Sequence, residues 1–301
     1  MDFLNTYFNL VPVSLAQGTV YAFVGLGVMI PFRLLMLPDL TAEGSFPFGA
    51  AVAASAIAGG FGILPAMLFA LLAGILAGGL TAIIHLFFKV TSLLAGIIVL
   101  TMLFSINIRV MGKPNTALFS FDTLFTALLG PAGGSPISQF AVLFVILCII
   151  CFTLLWFLHT ELGLALRAVG ANQVMASAQG LSTSWYVIVG IAIAGGFAAT
   201  GGAIMAQYQS YADVNMGVGV LVIGLASTIL GEAIVGRDTL FRQIFAPVVG
   251  AIIYFQAVAL ALSLGLRPSD LKLLTALFVL LALGLPILTE RIRKRRSKLS
   301  Q

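Results

Sequence analysis

Long apolar stretches without a charged residue alternate with short polar connections along this chain. A helix needs about 20 apolar residues to cross the hydrocarbon core of a membrane. The uncharged stretches of suitable length are 12–30, 46–88, 90–108, 123–160, 168–212, 214–231, 243–266 and 273–289. The second stretch is interrupted by a glycine-rich break at 59–62, so it holds two helices. We therefore predict an all-α polytopic membrane protein, a bundle of about nine transmembrane helices (about 8–10).

The composition agrees with a membrane protein and excludes two other classes. Of the 301 residues, 60% are hydrophobic and 8% are charged, whereas soluble domains carry roughly 25% charged residues. So few charges could not cover a soluble protein of this size, and so much apolar surface excludes a disordered chain. The two cysteines cannot build a disulfide framework, and no zinc-type cluster of Cys and His is present. We expect no metal and no cofactor on this chain.

Basic residues set the orientation of the chain in the membrane. With the C-terminus inside, eleven of the 15 basic residues lie on the cytoplasmic side and four lie outside. The opposite orientation would invert this ratio, against the positive-inside rule. Six of the eleven lie in the basic segment 290–301, which we predict to be a cytoplasmic tail after one transmembrane permease-like domain at 1–289. No aromatic residues alternate with these basic ones, so we expect no nucleic acid partner.

Motifs for catalysis are missing from the sequence. No phosphate-binding loop of the form GxxxxGK[ST] occurs, so we expect no ATP hydrolysis on this chain. No Ser/His, paired Asp or HExxH arrangement has the spacing of an intramembrane protease. Glu232 is the one ionisable residue that we place close to the inside of a span, whereas ion-coupled carriers usually contain several. The sequence favours a transport pathway driven by other subunits. A self-contained secondary carrier or channel is the alternative.

One predicted cytoplasmic connection, residues 161–182, has the signals of a short helix. Asn172 is a favourable N-cap and Gly180 is a favourable residue just after a helix end. Between them Val174, Met175 and Ala178 fall on one face, as a helix seated in the groove of a partner requires. A helix that lies idle on the membrane surface is the other interpretation of this pattern.

Three stretches, one of them in this connection, carry a resemblance to a known family. They are SLAQG at 14–18, LPDLTAEGSFPFG at 37–49 and ELGLALRAVGAN at 161–172. In these stretches the chain resembles ABC importer permeases of the branched-chain amino acid and ribose group. Within that group it resembles the tryptophan/tyrosine-type permeases, and the resemblance covers residues 12–286. The motif of the cytoplasmic loop is typical of the family and does not identify a substrate.

The resemblance implies the type II ABC importer architecture in a bacterial cytoplasmic (inner) membrane. Two copies of the permease would pair within the lipid, and an extracytoplasmic binding protein would deliver the solute. Two separate cytoplasmic subunits would bind ATP and Mg²⁺ and supply the driving force. The expected function is import of a small polar solute, an amino acid or a related compound. Sugars and nucleosides remain alternatives, because the permease sequence does not separate them.

The resemblance also implies where the functional residues lie. The coupling segment, residues 161–182, would dock on the ATP-binding subunits. Its expected contact residues are Arg167, Gly170, Asn172, Val174, Met175, Ala178 and Gly180. The solute pathway of the family maps to Asp39, Glu43, Ser45 and Phe46, and the fourth span adds the polar residues Thr101, Ser105 and Asn107.

Two alternatives to these pathway residues stay open at the level of sequence. Asp39 and Glu43 could belong to a solvated cytoplasmic turn, and the hydroxyls of Thr101 and Ser105 could bond to their own helix. Segments 44–60 and 217–236 share a pattern of Gly, Ala and Ser, which could reflect two related halves with the pathway between them. Composition alone also explains that likeness.

Overall fold

The structure, a computed structural model, describes residues 3–130 and 133–267, together with residues 270, 273, 275–277 and 280. The helices are α1 (Phe3–Met29), α2 (Thr41–Ala58), α3 (Ile63–Phe88), α4 (Ser92–Met111), α5 (Leu124–Leu129), α6 (Pro136–His159), α7 (Glu161–Ala171), α8 (Gln173–Ala178), α9 (Thr183–Gln209), α10 (Val220–Val235) and α11 (Leu240–Ser263). Two short strands, β1 (Asn115–Ala117) and β2 (Tyr211–Asp213), pair antiparallel. The all-α class is therefore confirmed, with one small ribbon added. Most of the last predicted span, 273–289, and the whole basic tail, 290–301, lie outside the described residues.

Six helices in the described part of the chain are long and apolar enough to cross a membrane. They are α1 with its extension to Leu34, α3, α4, α6, α9 and α11. Helices α1 and α9 are the most buried of the six, while α3, α4 and α6 expose most of their surface. Because an exposed apolar face in a membrane protein contacts lipid, α1 and α9 form the centre of the bundle. The predicted total of about nine spans stays a prediction.

Small residues bring the central helices close together. Helix α3 lies antiparallel against α9, with Gly74 against Gly195 and Gly78 against Ile191. A side chain added at either of these α3 glycines would collide with the backbone of α9. Lipid gives helices no hydrophobic reason to associate, so close backbone approach through small residues is the main source of packing energy. The small-residue spacing seen in the sequence therefore has this packing role.

The bundle contains two short helices in equivalent arrangements. Helix α2 continues through a four-residue connection into the long helix α3, and α10 continues through an equally short connection into α11. The pair α2–α3 packs on α9, whereas α10–α11 packs on α1. Helices α1 and α9 run antiparallel, since Gly27 lies on Ala194 while Gly201 lies on Phe23. This order supports two related halves of opposite direction, as many transporters have.

Helix α1 changes its winding before it ends. Past Met29 it continues into a π-helical turn, Ile30–Leu34, which contains Pro31. A proline lacks the backbone N–H and its ring displaces the preceding turn, which explains the wider winding here. A six-residue connection then leads to α2, whose first backbone N–H, that of Thr41, donates to the buried carboxylate of Asp39. The π-helical turn and this connection separate the two regions of the molecule that carry the predicted site residues.

Candidate functional site

The coupling segment forms two helices outside the bundle. Asn172 caps α8 by accepting a hydrogen bond from the Met175 N–H, and Gly180 follows the helix with a positive φ of 83°. The predicted cap and the predicted stop are thus in place. Val174 is 81% exposed and Met175 is 63% exposed, and Ala178 is exposed beside them. Helix α8 consequently presents an uncovered apolar face.

Two residues of the segment face the protein instead. Arg167 on α7 donates to the carbonyl oxygen of Leu158 at the end of α6 (3.1 Å). Gly170 lies so close to the carbonyl of Leu34 that any side chain at this position would collide with it. Helix α7 is therefore fastened to α6 on one side and to the π-helical turn of α1 on the other. Arg167 and Gly170 hold the segment in place, while α8 carries its exposed residues.

A cavity of about 280 Å³ lies between α2, α4 and the segment that leads into α10. The connection between α1 and α2 separates it from the coupling segment. It is lined by Glu43, Gly44, Pro47, Leu100, Thr101, Phe104, Asn107, Val214, Asn215, Gly217 and Val218. We call it the α2–α4 cavity. It brings together three of the predicted pathway residues, namely Glu43, Thr101 and Asn107. A second cavity, lined by Tyr21, Tyr254 and Phe255 among others, meets it at Val218.

Glu43 joins the two short helices. It lies in the first turn of α2, and its Oε1 accepts a hydrogen bond from the backbone N–H of Gly219, just before α10 (2.9 Å). The free N–H groups and the dipole at a helix N-terminus favour a negative charge. Glu43 is half-buried and carries this contact inside the bundle, so the interpretation of Glu43 as part of a solvated turn is wrong. From the sequence alone we place only Glu232, and not Glu43, close to the inside of a span.

Asn107 is the second polar group of the α2–α4 cavity. The residue is 1% exposed, and neither its Oδ1 nor its Nδ2 has a hydrogen-bond partner among the described residues. A buried amide without partners is costly and rare in folded proteins. Thr101 is exposed to the same cavity, and its hydroxyl donates to the carbonyl of Ile98 in its own helix (2.8 Å). Thr101 therefore follows the back-bonding alternative, and Asn107 is the unsatisfied group.

The other predicted pathway residues lie elsewhere. Asp39 is buried, and its Oδ1 accepts from both the N–H and the hydroxyl of Thr41, which joins it to Thr81 of α3. This arrangement fits a structural cap of α2 and not a solvated turn. Ser45 is buried and its hydroxyl has no hydrogen-bond partner within the described part of the chain, and the ring of Phe46 stacks on that of Tyr21 (centroids 5.8 Å apart). Ser105 is exposed and does not line the α2–α4 cavity.

An ion pair that the sequence interpretation missed connects the two regions. Arg33 in the π-helical turn bonds to Glu232 near the end of α10 (2.5 Å), and the Glu232 side chain is 10% exposed. Arg33 also lines a cavity of about 280 Å³ beside Arg167 and Gly170 of α7. The same turn of α1 thus contacts the coupling segment and holds the far end of α10. Since 199 positions separate the two partners, no spacing rule in the sequence could have found this pair.

Comparisons with known proteins agree with this architecture. The chain is 38% identical to a tyrosine transport system permease protein of Clostridioides difficile (strain R20291) over 285 residues, which is 95% of this chain and 94% of that protein. It is 31% identical to an uncharacterised protein of Rickettsia prowazekii (strain Madrid E), covering 92% of this chain and 97% of that protein. A ribose import permease protein of Haemophilus influenzae is 24% identical over 72% of this chain and 67% of its own length. No solved structure shows a significant match.

The match to a family covers nearly the whole chain. Residues 12–284 match the family described as the permease component of branched-chain amino acid transport systems. All three regions of the sequence that carry the resemblance, 14–18, 37–49 and 161–172, fall inside that range. The α2–α4 cavity and the coupling segment lie inside it as well. The chain therefore belongs to this family of membrane permeases and is the permease component of an ABC-type transport system.

Proposed function

We propose that the chain is the membrane-spanning subunit of a binding-protein-dependent importer of an aromatic amino acid in a bacterial cytoplasmic membrane. The observation that carries this proposal is the capped helix α8, which exposes Val174 and Met175 while α7 fixes it to the end of α1. Apolar side chains held outside a bundle on a short, well-defined helix suit a groove in a partner protein. The tyrosine permease relative supports the class of solute.

The driving force in this proposal comes from two cytoplasmic subunits that bind ATP and Mg²⁺ and that also bind α8. Their movement reaches the π-helical turn because Gly170 lies directly on Leu34. From that turn it passes to α10 through the pair of Arg33 and Glu232. A ligand or partner can shift a conformational equilibrium only by binding its states unequally. In this proposal the subunits bind α8 unequally in the two states, and the contacts from α8 to α10 carry that difference into the bundle.

The solute route in this proposal uses the α2–α4 cavity and the second cavity beside it. Both lie next to the N-terminus of α10, and both reach the surface of the single subunit through exposed residues such as Val218 and Phe104. A second copy of the permease would cover this face and enclose the route. An extracytoplasmic binding protein would deliver the amino acid to it.

A reconstituted uptake experiment tests the proposed function. The tagged chain is purified with its copurifying ATPase and placed in proteoliposomes, with ATP inside and the binding protein with radiolabelled L-tyrosine outside. We expect uptake that requires both ATP and the binding protein and that stops when a non-hydrolysable ATP analogue replaces ATP. Uptake by the purified chain alone, driven by an ion gradient, would instead indicate a secondary carrier.

A further inference from the structure

The N-terminus of α10 is an anion site that a side chain of the protein already occupies. Helix α10 has 16 residues, and Gly219 at its N-cap provides no side-chain cap. Instead, the backbone N–H of Gly219 donates to Oε1 of Glu43, a residue of α2. Half-helix N-termini inside transporters bind anionic groups of the substrate by the same physics. Glu43 therefore occupies a position suited to the carboxylate of a solute.

An independent observation in the same cavity points to a ligand. Asn107 lines the α2–α4 cavity, and its amide donor Nδ2 and acceptor Oδ1 are both buried without a partner among the described residues. Its burial rules out compensation by bulk water. A buried amide in this state requires an explanation, and a molecule that completes its hydrogen bonds would supply one.

The walls of the cavity define the chemistry of that molecule. Leu100, Phe104 and Val218 form an apolar, partly aromatic wall. Among the residues that line the cavity, all of which are described, Glu43 is the only ionisable one. The volume of about 280 Å³ lies just below the range of roughly 300–1,000 Å³ of pockets for drug-sized ligands. The cavity thus suits a small molecule with an apolar side chain and a positive group.

We propose that the α2–α4 cavity recognises both charged groups of an α-amino acid by an exchange at Glu43. The ammonium group of the solute pairs with the carboxylate of Glu43 and draws it away from Gly219. The carboxylate of the solute then accepts from the freed N–H of Gly219 and from the amide of Asn107. The exchange changes no charge, because the solute enters as a zwitterion and no proton is transferred. This inference rests on the proposed function and adds the recognition step to it.

The proposed exchange at Glu43 is tested by measuring whether a solute protects an introduced cysteine from a thiol reagent. Cys148 and Cys151 are replaced by alanine, and Thr101→Cys places one thiol in the α2–α4 cavity. The intact transporter complex in lipid is treated with a small water-soluble thiol reagent. We expect millimolar L-tyrosine to slow labelling severalfold. Tyramine, which lacks the carboxylate, and 3-(4-hydroxyphenyl)propionate, which lacks the ammonium group, should not slow it. Phe119→Cys, exposed on the loop after β1, is the control and should label equally in all cases.

Three variants in the Thr101→Cys background locate the recognition. Glu43→Gln and Asn107→Leu should each abolish protection by L-tyrosine, while Glu43→Asp should retain part of it. Equal protection by all three compounds, full protection in Glu43→Gln, or a thiol that the reagent does not reach would overturn the inference. A monodisperse gel-filtration peak shows that each variant is folded. Labelling needs no ATP, so a complex that is protected but does not import contradicts only the proposed function. Import without protection contradicts only the exchange.

Discussion

Single glycines decide how close the central helices come. At Gly78 an added Cβ would meet the backbone of Ile191 on α9, whereas at the neighbouring Gly79 its nearest neighbour would be the Cβ of Ala192, 4.0 Å away. Both residues lie in the same helix, α3, and differ only in the face on which they lie. Comparing substitutions at these two positions separates the effect of close helix contact from the low helix propensity of glycine.

We predict opposite effects for alanine at these two positions. Gly78→Ala should destabilise the bundle by about 1–3 kcal/mol, the usual cost of overpacking, because α9 must move away. Gly79→Ala should be neutral or stabilise by roughly 0.5–1 kcal/mol, because alanine favours a helix interior over glycine. The thermal unfolding midpoint of the purified protein in detergent measures both. Equal shifts in the two variants would show that α3 and α9 do not meet at Gly78.

The two ion pairs of the described chain differ in their surroundings. Glu232 is largely buried beside Arg33, whose side chain is 36% exposed, while Asp238 and Arg242 form a pair at the surface. Removing one partner of a buried pair leaves an uncompensated charge. Exposed pairs contribute little because water screens them.

We predict that Arg33→Ala lowers stability by about 1–3 kcal/mol, a value reduced from that of a fully buried pair by the exposure of Arg33. It should also slow uptake, because it separates the end of α1 from α10. Arg33→Lys should restore most of both properties. Arg242→Ala is the matched control and should change stability by less than about 0.5 kcal/mol. Thermal unfolding and L-tyrosine uptake measure the outcome, and equal effects of the two alanine variants would refute the structural role of Arg33.

At the scale of helices, local signals predicted α8 well. An N-cap at Asn172 and a stop at Gly180 depend on neighbouring residues only, so the sequence contains the information for both. The inward positions of Arg167 and Gly170 could not be predicted, because they depend on α6 and on the π-helical turn of α1. The same applies to the α2–α4 cavity, whose walls come from three segments, 43–47, 100–107 and 214–218, that are far apart along the chain. For Glu43 a local signal did exist, since an acid in the first turn of an apolar helix marks an N-terminus.

The exposed face of α8 leads to a prediction on coupling. Burying Val174 and Met175 in a partner groove would contribute roughly 1.5–3 kcal/mol each. Val174→Asp would instead bury an unpaired charge or force the helix out of the groove. We expect normal membrane insertion, severely reduced uptake and loss of the ATPase from the purified complex. Gln173→Asp adds the same charge on another side of α8 and should leave the ATPase attached. Normal uptake by Val174→Asp with the ATPase bound would contradict the coupling role.

At the scale of the whole molecule, the coupling segment and the ribbon of β1 and β2 lie at opposite ends of α9. Helix α8 precedes α9, and β2, which pairs with β1, follows it. The 27 residues of α9 span about 40 Å at 1.5 Å per residue, which exceeds the roughly 30 Å of the hydrocarbon core. The coupling segment and the ribbon are therefore on opposite sides of the membrane. The orientation of this one helix decides whether α8 can meet an ATPase at all.

We predict that the ribbon side is extracytoplasmic, because that orientation keeps most of the basic residues inside. In a variant with Cys148 and Cys151 replaced by alanine, a thiol from Phe119→Cys should react with an impermeant reagent added to intact spheroplasts. A thiol from Asp238→Cys, in the exposed connection after α10, should react only after the membrane has been opened. Both positions are well exposed, so a difference between them reports the side of the membrane. The reverse pattern would place α8 outside the cell, where no ATP is available, and would contradict the proposed coupling together with the orientation.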